Sequence, residues 1–145
     1  MEHRWTACVV GKPEPKGSTK AFMPKGARFP VVTSDNPKLK DWQTQVRLVV
    51  SQIPALVREA GPVKLTVRFR LAAPQDVERT QLRKGIALPH LKKPDIDKLL
   101  RGCLDSLKNA GAYKDDAQVV EVHVTKSYVT PGEPPSARIQ LESER

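Results

Sequence analysis

Val63-Lys64-Leu65-Thr66-Val67-Arg68-Phe69-Arg70-Leu71 alternates apolar and polar side chains without a break. Successive side chains of a strand point to opposite faces. Val63, Leu65, Val67, Phe69 and Leu71 therefore line a buried face, and Lys64, Thr66, Arg68 and Arg70 line a basic one. An apolar sheet face needs a cover, and the flanking segments supply helices. Upstream, Asn36-Pro37 reads as an N-cap and first helical residue. Trp42, Val46, Val49, Val50 and Ile53 then recur at helical spacing; the helix pauses near Pro54 and continues to Ala60, with Gly61 as terminator. Downstream, a second helix runs from about Ile96 to Asn109, with Ile96, Leu100, Cys103, Leu104 and Leu107 as its apolar stripe and Gly111 just beyond its end.

Further strands follow from the same alternation. Trp5, Ala7 and Val9 alternate with Thr6, Cys8 and Val10. Gly11 to Pro30 is punctuated by glycine and proline and reads as irregular, and Phe29 to Thr33 reads as a short strand. Val120, Val122 and Val124 alternate with Glu121, His123 and Thr125. After a turn at Pro131-Gly132 and Pro134-Pro135, Ala137, Ile139 and Leu141 form a final strand antiparallel to its predecessor. The order is β-(β)-α-β-α-β-β. The expectation is an α+β fold in a single domain over residues 1–145, with a mixed sheet of about four to five strands packed against two main helices.

At 145 residues the chain fits one core, and its 39% hydrophobic and 28% charged residues are ordinary for a soluble globular protein. No apolar run approaches a membrane span, and the N-terminal residues lack a secretory h-region, so no membrane association and a cytoplasmic location are expected. Cys8 and Cys103 have no metal-ligand spacing; both read as small core residues.

The net charge of +9 favours a polyanionic partner. Its placement is more informative. Lys12, Lys16, Lys20, Lys25 and Arg28 fall in the first Gly/Pro-rich segment, and Arg79, Arg83, Lys84, Lys92 and Lys93 fall in a long loop expected over Ala73 to Lys93. Solvated loop charge is the blander reading of any one lysine. Two clusters flanking one acidic motif favour phosphate contact.

That motif is Lys93-Pro94-Asp95-Ile96-Asp97-Lys98-Leu99-Leu100, followed after one helix by Asp115-Asp116. Pro94 holds the preceding residue extended, which suits Asp95 as an N-cap, and Asp97 falls in the first turn, where the helix dipole favours negative charge. The bland alternative is concrete: a cap, a dipole-favoured acid, an i, i+4, i+8 ladder of Asp97, Arg101 and Asp105, and two turn residues. Taken together, carboxylates without a His or Cys cluster point to a hard cation, Mg²⁺ or Mn²⁺. Two such ions could activate water and stabilise a leaving 3′ oxygen, with Arg101 offsetting charge on the phosphate. His90 could orient a water or contact phosphate; a loop histidine more often does neither.

At these residues the chain resembles the RusA family of Holliday junction resolvases, in its phage-type branch. The matching run is KPDIDKLLRGCLDSLKNAGAYKDDAQVVEVHVTK, Lys93 to Lys126, against a family pattern of K-P-D-[ILV]-D-N-L, a helix ending near D-x-L, and D-D-x-Q-V. The Val10 to Lys16 segment, Thr33 to Trp42 and the basic loop before the motif are also similar, so the resemblance covers most of the chain. It implies a homodimeric, Mg²⁺-dependent endonuclease that resolves four-way DNA junctions in recombination and repair. By motif position, Asp95, Asp97 and Asp116 would be the metal-binding catalytic acids, with Asp115 beside them and Arg101 at the basic catalytic position, usually lysine. Lys12, Lys16, Lys20, Arg83, Lys84, Lys92, Lys93 and Lys98 would contact DNA. Lys98 stands where the family commonly has asparagine, and a planar guanidinium at position 101 is not equivalent to an ammonium.

Those two departures define the alternative, a catalytically weak or inactive branched-DNA-binding protein on the same fold. A third reading, binding to RNA or a partner protein, is disfavoured by the 5% aromatic content, which provides no stacking platform.

Overall fold

The computed structural model describes residues 2–16, 19–23, 25–26, 28–29, 31–34, 37–52 and 61–144. Val63–Leu71 is a central strand, β4. With β1 (Glu2–Val10), β5 (Val119–Tyr128) and β6 (Ser136–Glu144) it builds a four-stranded sheet in the order β1-β6-β4-β5. β6 is antiparallel to both β1 and β4, whereas β5 is parallel to β4. The expected mixed α+β fold is borne out. Two parallel neighbours require a crossover; here it carries α2 (Gln75–Lys84) and α3 (Ile96–Asn109).

The alternation in β4 translates directly into burial, with all five apolar side chains buried and the polar ones exposed or half-buried. The same holds for Trp5, Ala7 and Val9 in β1 and for Ala137, Ile139 and Leu141 in β6. A side chain such as Phe69, 1% exposed, contributes about 3–5 kcal/mol against truncation to alanine. α1 (Leu39–Ser51) and α3 close this face, through Leu39, Trp42, Val46 and Val50 and through Leu99, Cys103 and Leu107. The first helix begins at Leu39 rather than Pro37, with Lys38 as its N-cap; Asn36 and the expected continuation over 53–60 lie outside the described residues.

Several expectations need correction. The final strand runs opposite in direction to β5 but does not lie beside it. β4 separates the two, because β6 takes the second edge of β4 and so lets the most apolar strand pair on both sides. The Gly11–Pro30 stretch contains β2 (Thr19–Phe22), paired with β3 (Val31–Ser34), which starts two residues later than expected. Four-residue strands are too short to show a period. Cys8 is exposed, since it shares the outer face of β1 with Thr6; Cys103 is buried as expected, and burial pushes its thiol up to about 12.

The stripe on α3 is rotated. Leu99, Gly102, Cys103, Ser106 and Leu107 are the buried positions, Leu100 and Leu104 are half-buried, and Ile96 is exposed. Small residues let the helix approach its neighbours closely, a packing role that a hydrophobic count does not register.

The expected long loop over 73–93 contains α2. Its buried residue is Gln81, not an apolar one, so hydrophobic periodicity could not reveal it. The Gln81 amide donates to Val129 O at 2.9 Å and accepts from Leu88 N–H at 2.7 Å, tying α2 to the end of β5 and to the segment that follows. Gly85 terminates the helix at φ 69°, a left-handed conformation that glycine adopts without strain.

Candidate active site

α3 begins at the acidic motif. Asp95 is its N-cap, in extended backbone conformation (φ −69°, ψ 146°), yet its carboxylate makes no capping hydrogen bond. A cap whose side chain is not capping leaves two oxygens for another partner. Asp97 follows in the first turn and is exposed. Arg101, one turn further, is exposed and has no carboxylate within ion-pair distance among the described residues.

The Asp97-Arg101-Asp105 ladder is therefore not formed. Asp105 instead binds Lys16 Nζ at 2.6 Å. This pair belongs to a close crossing of α3 by residues 14–16. Lys16 N–H donates to Lys98 O at 3.0 Å, and a Cβ at Gly102 would lie 2.6 Å from Glu14 O. Gly102 is thus required by backbone approach rather than by its own dihedrals.

The segment before the motif is held by β5. Tyr128 N–H donates to Leu88 O at 3.0 Å, Pro89 bridges Ser127, and His90 N–H reaches Lys126 O at 3.5 Å. Lys126 Nζ then donates to Lys92 O at 2.7 Å and Pro94 O at 2.8 Å. These two carbonyls lie immediately before Asp95, so one ammonium fixes the approach of the chain to the acidic motif. Sequence reasoning missed Lys126; its place on the apolar side of β5, opposite Phe69, was the available signal. His90 is buried against Tyr128, ring centroids 4.7 Å apart, and its Nδ1 has no hydrogen-bond partner among the described residues. Burial, then the Lys126 charge, lowers its pKa. A ring so placed packs residues 88–94 against β5.

Asp115 and Asp116 differ. Asp115 caps a 3₁₀ turn, Asp116–Gln118: its Oδ1 accepts from Ala117 N–H at 3.0 Å, while Gln118 Oε1 accepts from the Lys114 and Asp115 N–H groups. Asp116 instead stands beside Tyr113, whose hydroxyl donates to Leu104 O at 2.8 Å. Burial first, then the Asp116 carboxylate, keeps that phenol protonated well above its ordinary range. Seven residues of helix, about 10 Å of rise, separate Leu104 from Asp97. Among the described residues, no three carboxylate, His or Cys side chains lie close enough together to hold a metal by themselves.

The donor chemistry nonetheless fits Mg²⁺ or Mn²⁺. The exposed donors are carboxylate oxygens, and Mg²⁺ commonly takes one or two of these and completes its shell with water and phosphate. Asp95 and Asp97 stand together at the start of α3, whereas Asp116 lies outside that helix, in the 3₁₀ turn that follows it.

The expected DNA-contact residues fall into three groups. Lys92, Lys93 and Lys98 surround the motif and are exposed; Lys12 is exposed on the neighbouring segment. Arg83 and Lys84 are exposed in the last turn of α2. Lys16 is held by Asp105, and the side chain of Lys20, on β2, lies outside the described residues.

A family model described as endodeoxyribonuclease RusA matches residues 11–142. The uncharacterized protein YqaN of Bacillus subtilis (strain 168) is 32% identical over 125 residues, which cover 83% of this chain and 84% of that protein. The crossover junction endodeoxyribonuclease RusA of Escherichia coli (strain K12) is 42% identical over 52 residues, 36% of this chain and 43% of that one. The protein of that name from Enterobacteria phage 82 matches to the same extent. No helix among the described residues is long and apolar enough to cross a membrane.

Proposed function

This chain belongs to the RusA endodeoxyribonuclease family, and on that premise we propose that it is a Mg²⁺-dependent, structure-selective endodeoxyribonuclease that resolves four-way DNA junctions during recombination and repair. The observation that carries the reading is the grouping at the start of α3. Asp95 and Asp97 stand uncommitted beside Arg101, ringed by exposed Lys92, Lys93 and Lys98. Acids with no ion-pair partner among the described residues, inside a chain of net charge +9, are suited to hold a cation where a polyanion arrives.

Bound there, Mg²⁺ would supply Lewis acidity and a more acidic water. The chain's own residues do the rest. Asp95 and Asp97 present carboxylate oxygens from a rigid helix start. Lys126 keeps that start in place by holding the Lys92 and Pro94 carbonyls. Arg101 presents a guanidinium one turn along, positioned to offset the charge that grows on a phosphate during in-line attack. Lys92, Lys93 and Lys98 position the backbone without reading bases. Two symmetric nicks call for two sites, so the acting species is a homodimer, working in the cytoplasm.

That no three carboxylate, His or Cys side chains among the described residues group to hold a metal favours one other reading, a branched-DNA-binding protein that does not cut. Cleavage of a fixed four-way junction and a matched linear duplex, with Mg²⁺, Mn²⁺ or EDTA, decides between them. Paired metal-dependent nicks confined to the junction support the resolvase. Tight junction binding with no nicks in either metal supports the binding protein.

A further inference from the structure

The sheet has a second face, turned away from α1 and α3, and its charges are not evenly balanced. Arg4 is paired with Glu142 at 2.8 Å and Arg70 with Glu133 at 3.1 Å. Between them, Arg68 of β4 stands directly opposite Arg138 of β6 in the antiparallel register. Both are exposed, and neither has a carboxylate within ion-pair distance among the described residues. Like charges directly opposed on neighbouring strands destabilise the pair. Cross-strand neighbours do not relieve it: Arg68 faces Thr125 on its other side, and Arg138 faces Cys8.

The two guanidinium groups border a recess of about 220 Å³ that is also lined by Thr6, Thr66, Ile139 and Gln140. Gln140 donates its amide nitrogen to Glu142 at 2.7 Å, and Thr6 and Thr66 line the recess with the arginines. Two unpaired guanidinium forks with hydroxyl donors on an open strand face match an oxyanion with several acceptor oxygens.

We propose that Arg68 and Arg138 form a contact site for the DNA phosphodiester backbone, on the sheet face opposite the helices and separate from the acidic motif. It rests on the DNA-directed reading above. The occupant follows from charge: the recess is open and cationic, none of its lining residues is a carboxylate, and it belongs to a strongly basic chain. Self-association through this face would set the same arginines of two copies near one another, which like-charge repulsion opposes.

The test is fluorescence anisotropy of wild type, Arg68→Ala/Arg138→Ala and Arg68→Lys/Arg138→Lys, in EDTA, across a salt series, with a linear duplex and a four-way junction. The double alanine variant is expected to weaken binding to both DNAs. Its plot of log affinity against log salt should be shallower by about 1.8, since each released phosphate contributes about 0.9. The double lysine variant should restore the slope, and thermal melting should show that both variants fold. Unchanged slope and affinity in the folded alanine variant would overturn the site. So would a loss of self-association in sedimentation without a change in DNA affinity. If the wild type fails to nick junctions while the slope change persists, the resolvase reading fails and this site stands.

Discussion

The two basic segments that flank α3 look alike in the sequence and behave differently in the structure. Residues 11–16 lie across α3 and are fixed to it by the Lys16–Lys98 backbone bond, the Lys16–Asp105 ion pair and the contact that Gly102 permits. Residues 88–94 are fixed to β5 by backbone bonds and by the Lys126 ammonium. In the first segment a lysine side chain provides the attachment. In the second the attachment comes from β5, and Lys92 and Lys93 remain exposed. A basic loop therefore offers DNA only the charges its own anchoring does not use.

The comparison is broken most severely at the acids that the second segment delivers. Asp97→Asn is expected to lower junction nicking about 10²- to 10³-fold, the scale of losing an electrostatic group in contact with the reacting centre, with junction affinity in EDTA preserved or raised. Retention of wild-type nicking would remove Asp97 from the site. Next is Lys126→Met, which leaves the Lys92 and Pro94 carbonyls without their donor. Loss of such a supporting contact typically costs 10- to 100-fold, so nicking should fall by roughly that factor and require more Mg²⁺. Lys126→Arg should recover part of it; a fall in melting temperature with an unchanged Mg²⁺ requirement would make Lys126 purely structural.

Gly102→Ala tests the other segment. A methyl 2.6 Å from the Glu14 carbonyl forces α3 and residues 14–16 apart, at a cost of about 1–3 kcal/mol in denaturant unfolding. Little change there would show that the crossing is loose. Smaller still is the pH dependence set by His90. Its folded pKa is depressed by burial, so below the unfolded value near 6.5 the unfolded chain takes up the proton first. Stability should be intact above that pH and decline as pH falls through 6.5 toward the folded pKa. His90→Gln should flatten that decline in melting curves. Lys16→Ala closes the series. Its ion pair is partly exposed, at 37% and 28%, so a double-mutant cycle with Asp105→Ala should give no more than about 1 kcal/mol.

Legibility in the sequence follows the kind of force that holds each element. β4 could be read residue by residue because its order is a period-two burial pattern. The bounds of α3 were legible from its cap and its terminating glycine, but the rotation of its buried face was not, since Gly102 and Ser106 carry packing that apolar counting overlooks. α2 was invisible because Gln81, a polar side chain satisfied by two backbone groups, anchors it. At the site, Asp95 as an N-cap was legible from Pro94. The capping box of Asp115 and Gln118 is local and was open to reading, whereas the commitment of Lys16 to Asp105 and the clamp of Lys126 on residues 32 and 34 positions away join distant parts of the chain that no local pattern encodes.

The strand order has a consequence for the time course of synthesis. β1 leaves the ribosome long before β6, its partner in the sheet. β4 likewise lacks one of its two neighbours until β6 appears. Pairings so distant in sequence close late and slowly. The acids of α3 thus emerge on a nascent chain whose supporting sheet is still incomplete. The helix start therefore gains its complete sheet only when β6 slots between β1 and β4, two strands made long before it, so the carboxylates are synthesised well before the support that fixes them.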